Sequence, residues 1–240
     1  MTENVRSEEV EQSATVAASK KAAVKKSRRR LPITVGVVAV VAIVAGAGFF
    51  VWHEQPSFCN AICHAPMDPY LPTYEAEPGQ AAADKWGNEV ADASGMMAAY
   101  HRAEAGTTCM GCHVPTLGEQ VSEGASWILG DYYDPLTERD SAQLTEARGV
   151  DNDKFCMNDS CHTNADGTPM TRDDLIALTS DREFNPHVSQ HSERQCTDCH
   201  KAHRASVMVC AQCHSDAEVP EGWITPAQEA QLMQPIAIDE

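Results

Sequence analysis

The sequence predicts a mainly α and loop fold: one N-terminal transmembrane helix, then a domain with little or no β structure whose interior is not filled by apolar side chains alone. Three observations predict it. Leu31 to Trp52 is a 22-residue stretch without a charged residue. The 188 residues after it show no convincing alternation of polar and apolar positions, which a half-buried strand requires. They are also poor in aromatic residues and hold all ten cysteines, in five pairs, each pair followed at once by a histidine.

The first thirty residues carry eight Lys/Arg against four Glu and are otherwise rich in Ser and Ala, the composition of a disordered tail. As a helix rising about 1.5 Å per residue, residues 31 to 52 cover roughly 33 Å, enough to cross a hydrocarbon core about 30 Å thick. Lys20, Lys21, Lys25, Lys26, Arg28, Arg29 and Arg30 crowd its N-terminal side, and no Lys or Arg follows it until Lys85. The positive-inside bias then keeps the N-terminus in the cytoplasm and puts the rest of the chain outside the cytoplasmic membrane. A cleaved signal peptide is the competing expectation, because Ala45-Gly46-Ala47 has the small-residue spacing of a signal-peptidase site. The apolar run continues beyond it through Trp52, which favours a retained anchor. The expected organisation is a basic cytoplasmic tail (1–30), a membrane helix (31–52) and an extracytoplasmic domain (53–240).

In that domain the charge changes sign, with ten Lys/Arg against thirty-one Asp/Glu. Such an acidic body is no partner for nucleic acid. It suits a less acidic or basic protein surface, where charge governs encounter rate more than final affinity.

The cysteine pairs are Cys59 and Cys63 before His64, Cys109 and Cys112 before His113, Cys156 and Cys161 before His162, Cys196 and Cys199 before His200, and Cys210 and Cys213 before His214. With ten histidines in 240 residues, five such coincidences arise by chance about once in ten million. The spacing has a chemical reason. A c-type haem is held by two thioethers from cysteines to its vinyl groups, and the next residue lies beneath the iron, where imidazole supplies an axial bond. Three pairs have the usual two-residue gap, the first has three and the third four; longer gaps loop out the intervening backbone. Disulfide frameworks have no need of a histidine after every second cysteine. Zinc ribbons pair separate Cys-x-x-Cys units without one. The motifs therefore point to five covalently bound haem c groups, whose faces replace the missing apolar core.

Five histidines remain: His53, His101, His187, His191 and His203. A lone histidine is ordinarily a polar surface residue, but each of these lies within a dozen residues of a motif cysteine. His101, His187, His191 and His203 are candidate sixth ligands for the irons of motifs two to five, giving bis-histidine sites of low potential. Their pairing is not readable from the sequence. The first motif has Met67 three residues past His64, either as a thioether ligand or as packing against the ring.

At these residues the chain resembles the NapC/NirT family of membrane-anchored multihaem cytochromes c. The resemblance runs from the anchor to the fifth motif. It rests on the single N-terminal helix, a first motif with a methionine nearby, Cys109-Met-Gly-Cys112-His113-Val-Pro, and Cys196-Thr-Asp-Cys199-His200-Lys followed by His203. The stretches HEQPSFCNAICH and CHKAHRASVMVCAQCHS are similar to the actinobacterial members that accompany exported flavin-dependent reductases. The family implies oxidation of a membrane quinol, with menaquinol the expected donor, near the first haem, and relay of electrons to an exported terminal reductase in anaerobic respiration. By the same likeness Met67 corresponds to the first-haem methionine, His113 and His200 to proximal ligands and His203 to a distal one. The family pattern Cys-x-x-Cys-His-x-Met is one residue longer here in both gaps, which leaves the first iron's ligand open between His64, Met67 and both. A fifth haem is added to the usual four.

Quinol oxidation releases two protons as well as two electrons, so proton-accepting groups near the first motif are site candidates: His53 at the expected membrane interface, Lys85 and Asp92, with Asp68, Asp84 and Glu89 beside them. For each acid the alternative is a solvated surface charge; for His53 it is interface anchoring. Residues 137–148 and 171–179 read as short helices, the second capped by Thr171, and Asp166-Gly167 as a turn. No Gly-x-Gly-x-x-Gly flavin signature is present, so the final substrate is reduced elsewhere. The other functional class is a catalytic multihaem reductase with one open iron position; a cysteine-rich interaction module without haem is the third.

Overall fold

The computed structural model describes residues 32–114, 116–131, 145, 149–189 and 191–232. The basic tail and nearly all of the helix expected over 137–148 lie outside the described residues. The chain divides into two units, Met1–His53 and Glu54–Glu240.

The first unit contributes α1 (Pro32–His53), 22 residues with a mean hydropathy of 2.5 and none of its apolar span buried inside the protein. Side chains such as Ile43, Val44 and Phe50 are two-thirds or more exposed. At about 25 cal/mol per Å² of apolar surface, leaving this helix in water is unfavourable, which makes it a candidate membrane anchor.

The second unit is helix and loop. Its helices are α2 (Pro56–Met67), α3 (Leu71–Glu75), α4 (Met97–Ala105), α5 (Cys109–Cys112), α6 (Leu117–Leu129), α7 (Asn152–Cys156), α8 (Arg172–Leu178), α9 (Cys196–Cys199) and α10 (Pro226–Glu229). Strand structure among the described residues is one antiparallel pair of two-residue strands, β1 (Ala82–Ala83) and β2 (Glu89–Val90), and two isolated bridges. The expected fold class is the one observed.

Most of these helices are too short to persist on propensity alone, so their ends are fixed locally. Thr116 with Glu119, Thr171 with Asp174 and Thr225 with Gln228 form reciprocal capping boxes at the starts of α6, α8 and α10. Asp151 caps α7 by accepting the Lys154 N–H. The turn expected at Asp166-Gly167 is present: Gly167 takes φ +84°, and the Asp166 carboxylate accepts the Thr168 N–H.

Among the described residues the apolar core is small: a cluster of Val90, Ala93, Met96, Ala99 and Ala205 with Ile224 packed against it, and Val207, Met208 and Ala217 buried besides. Backbone hydrogen bonds join the two segments that supply it. The N–H groups of Lys85, Met97 and Ala98 donate to the carbonyls of His203, Lys201 and Ala202, and Ser206 donates both N–H and Oγ to the Gly95 carbonyl. The contact closes on two glycines. A Cβ at Gly95 would lie 2.0 Å from the Gly222 carbonyl oxygen, and Gly222 itself has φ +75°. Residues 82–99 are thereby fixed against 201–224, more than a hundred positions later.

Candidate haem sites

Cysteine motifs two to five share one local geometry. The motif histidine N–H donates to the carbonyl of the first cysteine: His113 to Cys109 at 2.8 Å, His162 to Cys156 at 3.2 Å, His200 to Cys196 at 2.9 Å and His214 to Cys210 at 2.9 Å. In motifs two and four the cysteines bound a single helical turn, α5 and α9; in motif five the 3-10 turn Val209–Gln212 holds Cys210, and Cys213 follows it. The longer gap of motif three keeps the same bond because Met157 to Ser160 loop out. There Asn158 accepts the Cys161 N–H and its Oδ1 the Ser160 N–H. Cys59, Cys63 and His64 of the first motif lie on α2, and Met67 ends it.

The motifs touch in sequence order. Cys59 and Cys109 are neighbours, and their interaction pushes the Cys59 thiol up and the Cys109 thiol down. Cys112 is raised by burial and by its neighbours Cys161 and Cys156. Cys156 and Cys196 are a second neighbouring pair, Cys156 lowered and Cys196 raised by their interaction, and Cys199 stands near Cys210. The nine described cysteines form no disulfide. No three Cys, His, Asp or Glu side chains among the described residues converge as a zinc site requires.

Cys213 is exposed, as are Cys112 and Cys161, whereas Cys109, Cys156, Cys196, Cys199 and Cys210 are partly buried. The reason is local. Each exposed residue is the second cysteine of its pair, beyond the single turn or loop that its first cysteine starts. Cys213 closes the 3-10 turn by donating its N–H to the Cys210 carbonyl at 3.2 Å, and its neighbours Gln212, Ser215 and Asp216 are exposed as well. Cys213 is therefore a surface residue at the end of this turn, with the partly buried Cys210 on its inner side. Cys112 differs from it in being surrounded by protein while open on one side.

The non-motif histidines provide the second half of the arrangement. His203 faces His113 with ring centroids 6.2 Å apart and planes at 21°. His101 faces His162 at 6.0 Å and 86°, and His191 faces His214 at 6.2 Å and 32°. Burial pushes His200 down to about 4, with His187 the leading charged neighbour. An iron between two imidazoles, with metal–nitrogen bonds of about 2 Å and each ring centre about 1.1 Å behind its nitrogen, separates the centroids by about 6.2 Å. The three measured pairs match that span. Each joins one motif histidine to one histidine from a distant segment, which sequence proximity does not reveal.

Burial keeps five of these rings in the ligating form. Only neutral imidazole binds a metal; burial lowers His113, His162 and His187 and takes His203 down to about 3. His113 is nevertheless accessible. Hydrogen bonds also fix tautomers: His101 Nδ1 lies 2.8 Å from the Met97 carbonyl, which can only accept, so the free lone pair is on Nε2. Thr73 and Thr179 play the same part for His203 and His187, at 2.7 and 3.0 Å. Neither threonine carries a sequence signal; Thr73 is 130 positions from the ring it holds.

The quinol-site candidates are placed as follows. His53 ends α1. Lys85 sets its ammonium over the rings of Trp86, at 4.9 Å, and Tyr70, at 5.7 Å; the Tyr70 ring in turn packs edge-on against His203 at 5.2 Å. Asp92 is buried and accepts N–H bonds from Ser94, at 2.7 Å, and Gly79, at 2.8 Å. Those bonds, Ser94 first, hold its carboxyl below the usual carboxylate range. Asp84 is likewise buried and accepts from Trp86, Asn88 and the Asn88 side chain. Asp68 and Glu89 are exposed.

Two comparisons bear on this arrangement. The cytochrome c3 family profile matches residues 138–215, the stretch holding motifs three, four and five. The cytochrome c-type protein Cgr1 of Eggerthella lenta is 64% identical over 204 residues, covering 85% of this chain and 91% of that protein. No solved structure matches the chain.

Proposed function

The chain belongs to the c-type cytochrome family of that relative, and on this premise we propose that it is a membrane-anchored pentahaem quinol oxidase of the NapC/NirT kind, relaying electrons from menaquinol to an exported terminal reductase. It is an electron-transfer protein carrying covalently bound haem c. When bound, haem c supplies a one-electron ferric/ferrous couple. The observation that carries the reading is the set of facing histidine rings at a metal-spanning distance.

In this proposal Cys59 and Cys63, Cys109 and Cys112, Cys156 and Cys161, Cys196 and Cys199, and Cys210 and Cys213 hold the five groups. His113 with His203, His162 with His101 and His214 with His191 would hold the irons of three of these groups, and His200 with its neighbour His187 would hold a fourth. An iron with two protein ligands has no place for a substrate, which favours electron transfer over catalysis at motifs two to five. Motif one, with His64 and Met67, is the exception and serves as the entry port. The succession of thiol contacts supports an order from motif one to motif five. Near motif five, Cys213 opens that site to the surface. Around it Asp181, Glu183, Asp216 and Glu218 are exposed and Arg182 is paired to Glu218, so the exit suits a basic partner surface.

For quinol, Lys85 is the side chain proposed to meet the hydroxyl, with His53 receiving protons at the interface. The depressed Asp92 carboxyl is a poor proton acceptor and acts by tying Gly79 to Ser94, while Asp84 fixes the loop that carries Lys85 by accepting from Trp86 and Asn88. In proteoliposomes with a menaquinol analogue, Lys85→Ala and His53→Ala should each slow haem reduction at least tenfold with an unchanged c-type spectrum. Wild-type rates in both variants would remove the quinol assignment. His203→Ala or His101→Ala should each convert one low-spin site to high spin, and spectra without a high-spin component would remove the pairing.

A further inference from the structure

Thr73 is fully buried, and its hydroxyl sits between two partners. Its Oγ1 donates to the Tyr70 carbonyl at 2.6 Å and lies 2.7 Å from His203 Nδ1. A hydroxyl has one proton. With it committed to the carbonyl, Nδ1–H of His203 must donate to Oγ1, which leaves the ring's lone pair on Nε2. Thr179 repeats the device. Its Oγ1 lies 2.8 Å from the Leu175 carbonyl and 2.9 Å from Asn185 Oδ1, both acceptors, and 3.0 Å from His187 Nδ1. Asn185 is itself fixed, donating to the Ile176 carbonyl and accepting the His187 N–H.

We propose that Thr73 and Thr179 are positioning residues that orient His203 and His187 and set the reduction potentials of the second and fourth sites. The inference rests on those two histidines being axial ligands. An imidazole whose Nδ1–H is held by an acceptor is the more basic ligand and favours the ferric state. A hydroxyl already donating to a carbonyl is polarised into a better acceptor. Removing it leaves Nδ1–H without its acceptor, weakens the donor and raises the potential of that site alone. His101, held by a backbone carbonyl, is beyond the reach of such a substitution and serves as the internal reference.

The test uses the full-length haem-loaded protein in detergent, as Thr73→Val, Thr73→Ser, Thr179→Val and Thr179→Ser. Potentiometric titration follows the reduced c-type band, with haem-to-protein ratio and EPR recorded alongside. Each valine variant should keep its haem content and low-spin spectrum and shift one titration component upward. The expected size is about tenfold in the one-electron equilibrium, about 59 mV. The component should differ between Thr73 and Thr179, and serine should restore it. Unchanged titrations in both valine variants overturn the proposal. So does serine shifting as far as valine, or loss of haem in both valine variants while serine loads normally, since those are packing or folding effects. If only one valine variant loads haem, its titration decides. Failure of the ligand assignment is separately visible, as His203→Ala and His187→Ala proteins that remain wholly low spin.

Discussion

Orientation of individual rings has a spectroscopic consequence. The imidazole planes are near-parallel for His113 with His203 and His191 with His214, at 21° and 32°, and near-perpendicular for His101 with His162, at 86°. The angle sets the splitting of the iron d orbitals, so parallel planes give a rhombic low-spin EPR spectrum and perpendicular planes a nearly axial one with a large g value. Both types are expected in the oxidised protein. A spectrum with no large-g component would contradict the perpendicular pair at the third site. The His101 plane is fixed by its bond to Met97, so the signal should persist when Thr73 or Thr179 is changed.

Among the elements, the connection between motifs three and four is an ion-pair clamp. Arg172 at the start of α8 donates Nε and Nη2 to the Asp153 carboxylate on α7, at 2.7 and 2.8 Å, and also reaches the Arg194 carbonyl. Asn152 bonds Gln195 at 2.8 Å, and Cys196 lies 3.4 Å from Asp153. A two-point Arg–carboxylate pair that is only about a quarter exposed gives geometry as well as energy. Arg172→Ala should cost about 1–3 kcal/mol, and denaturant titration of the haem-loaded protein measures it; a loss under about 0.3 kcal/mol would reduce the clamp to an ordinary surface pair. Gly95→Ala is expected to be worse. Its methyl would overlap the Gly222 carbonyl, a backbone group that cannot step aside, so the loss should be on the order of 3 kcal/mol. Wild-type stability in Gly95→Ala would show that the junction between 82–99 and 201–224 is looser than its hydrogen bonds imply.

For the whole molecule, the eight buried apolar residues among those described, half of them alanines, cannot offset the ordering of this domain. The haem faces are the remaining apolar filler, so protein expressed without haem maturation should lack cooperative unfolding by circular dichroism. A compact apoprotein with a sharp transition would refute that dependence. The net charge of −17 for the chain is concentrated in the acidic domain. Electron transfer to a basic acceptor protein should therefore slow as ionic strength rises through the range where the Debye length falls to about 8 Å. An acidic acceptor should show the opposite trend, and salt-independent rates with both would discount the charge.

The sequence by itself determined what depends on neighbours along the chain. The apolar run of α1, the five Cys-and-His motifs, the capped helix from Arg172 to Leu178 and the turn at Gly167 are each set by residues a few positions apart, and periodicity or spacing makes them readable. The same local logic identified His101, His187, His191 and His203 as a group. Which ring faces which was not legible. His203 meets His113, and Thr73 meets His203, through folding that joins residues 82–99 to 201–224. Spacing likewise makes Cys210 and Cys213 equivalent, and only the fold separates the half-buried first thiol from the exposed second. Asp92 read as a surface or proton-accepting acid, and only the fold shows it holding two backbone N–H groups. Tertiary structure decided these because a facing pair, a rim position or a buried acceptor is a property of distant segments brought together by hydrogen bonds and small-residue packing, and no segment encodes it alone.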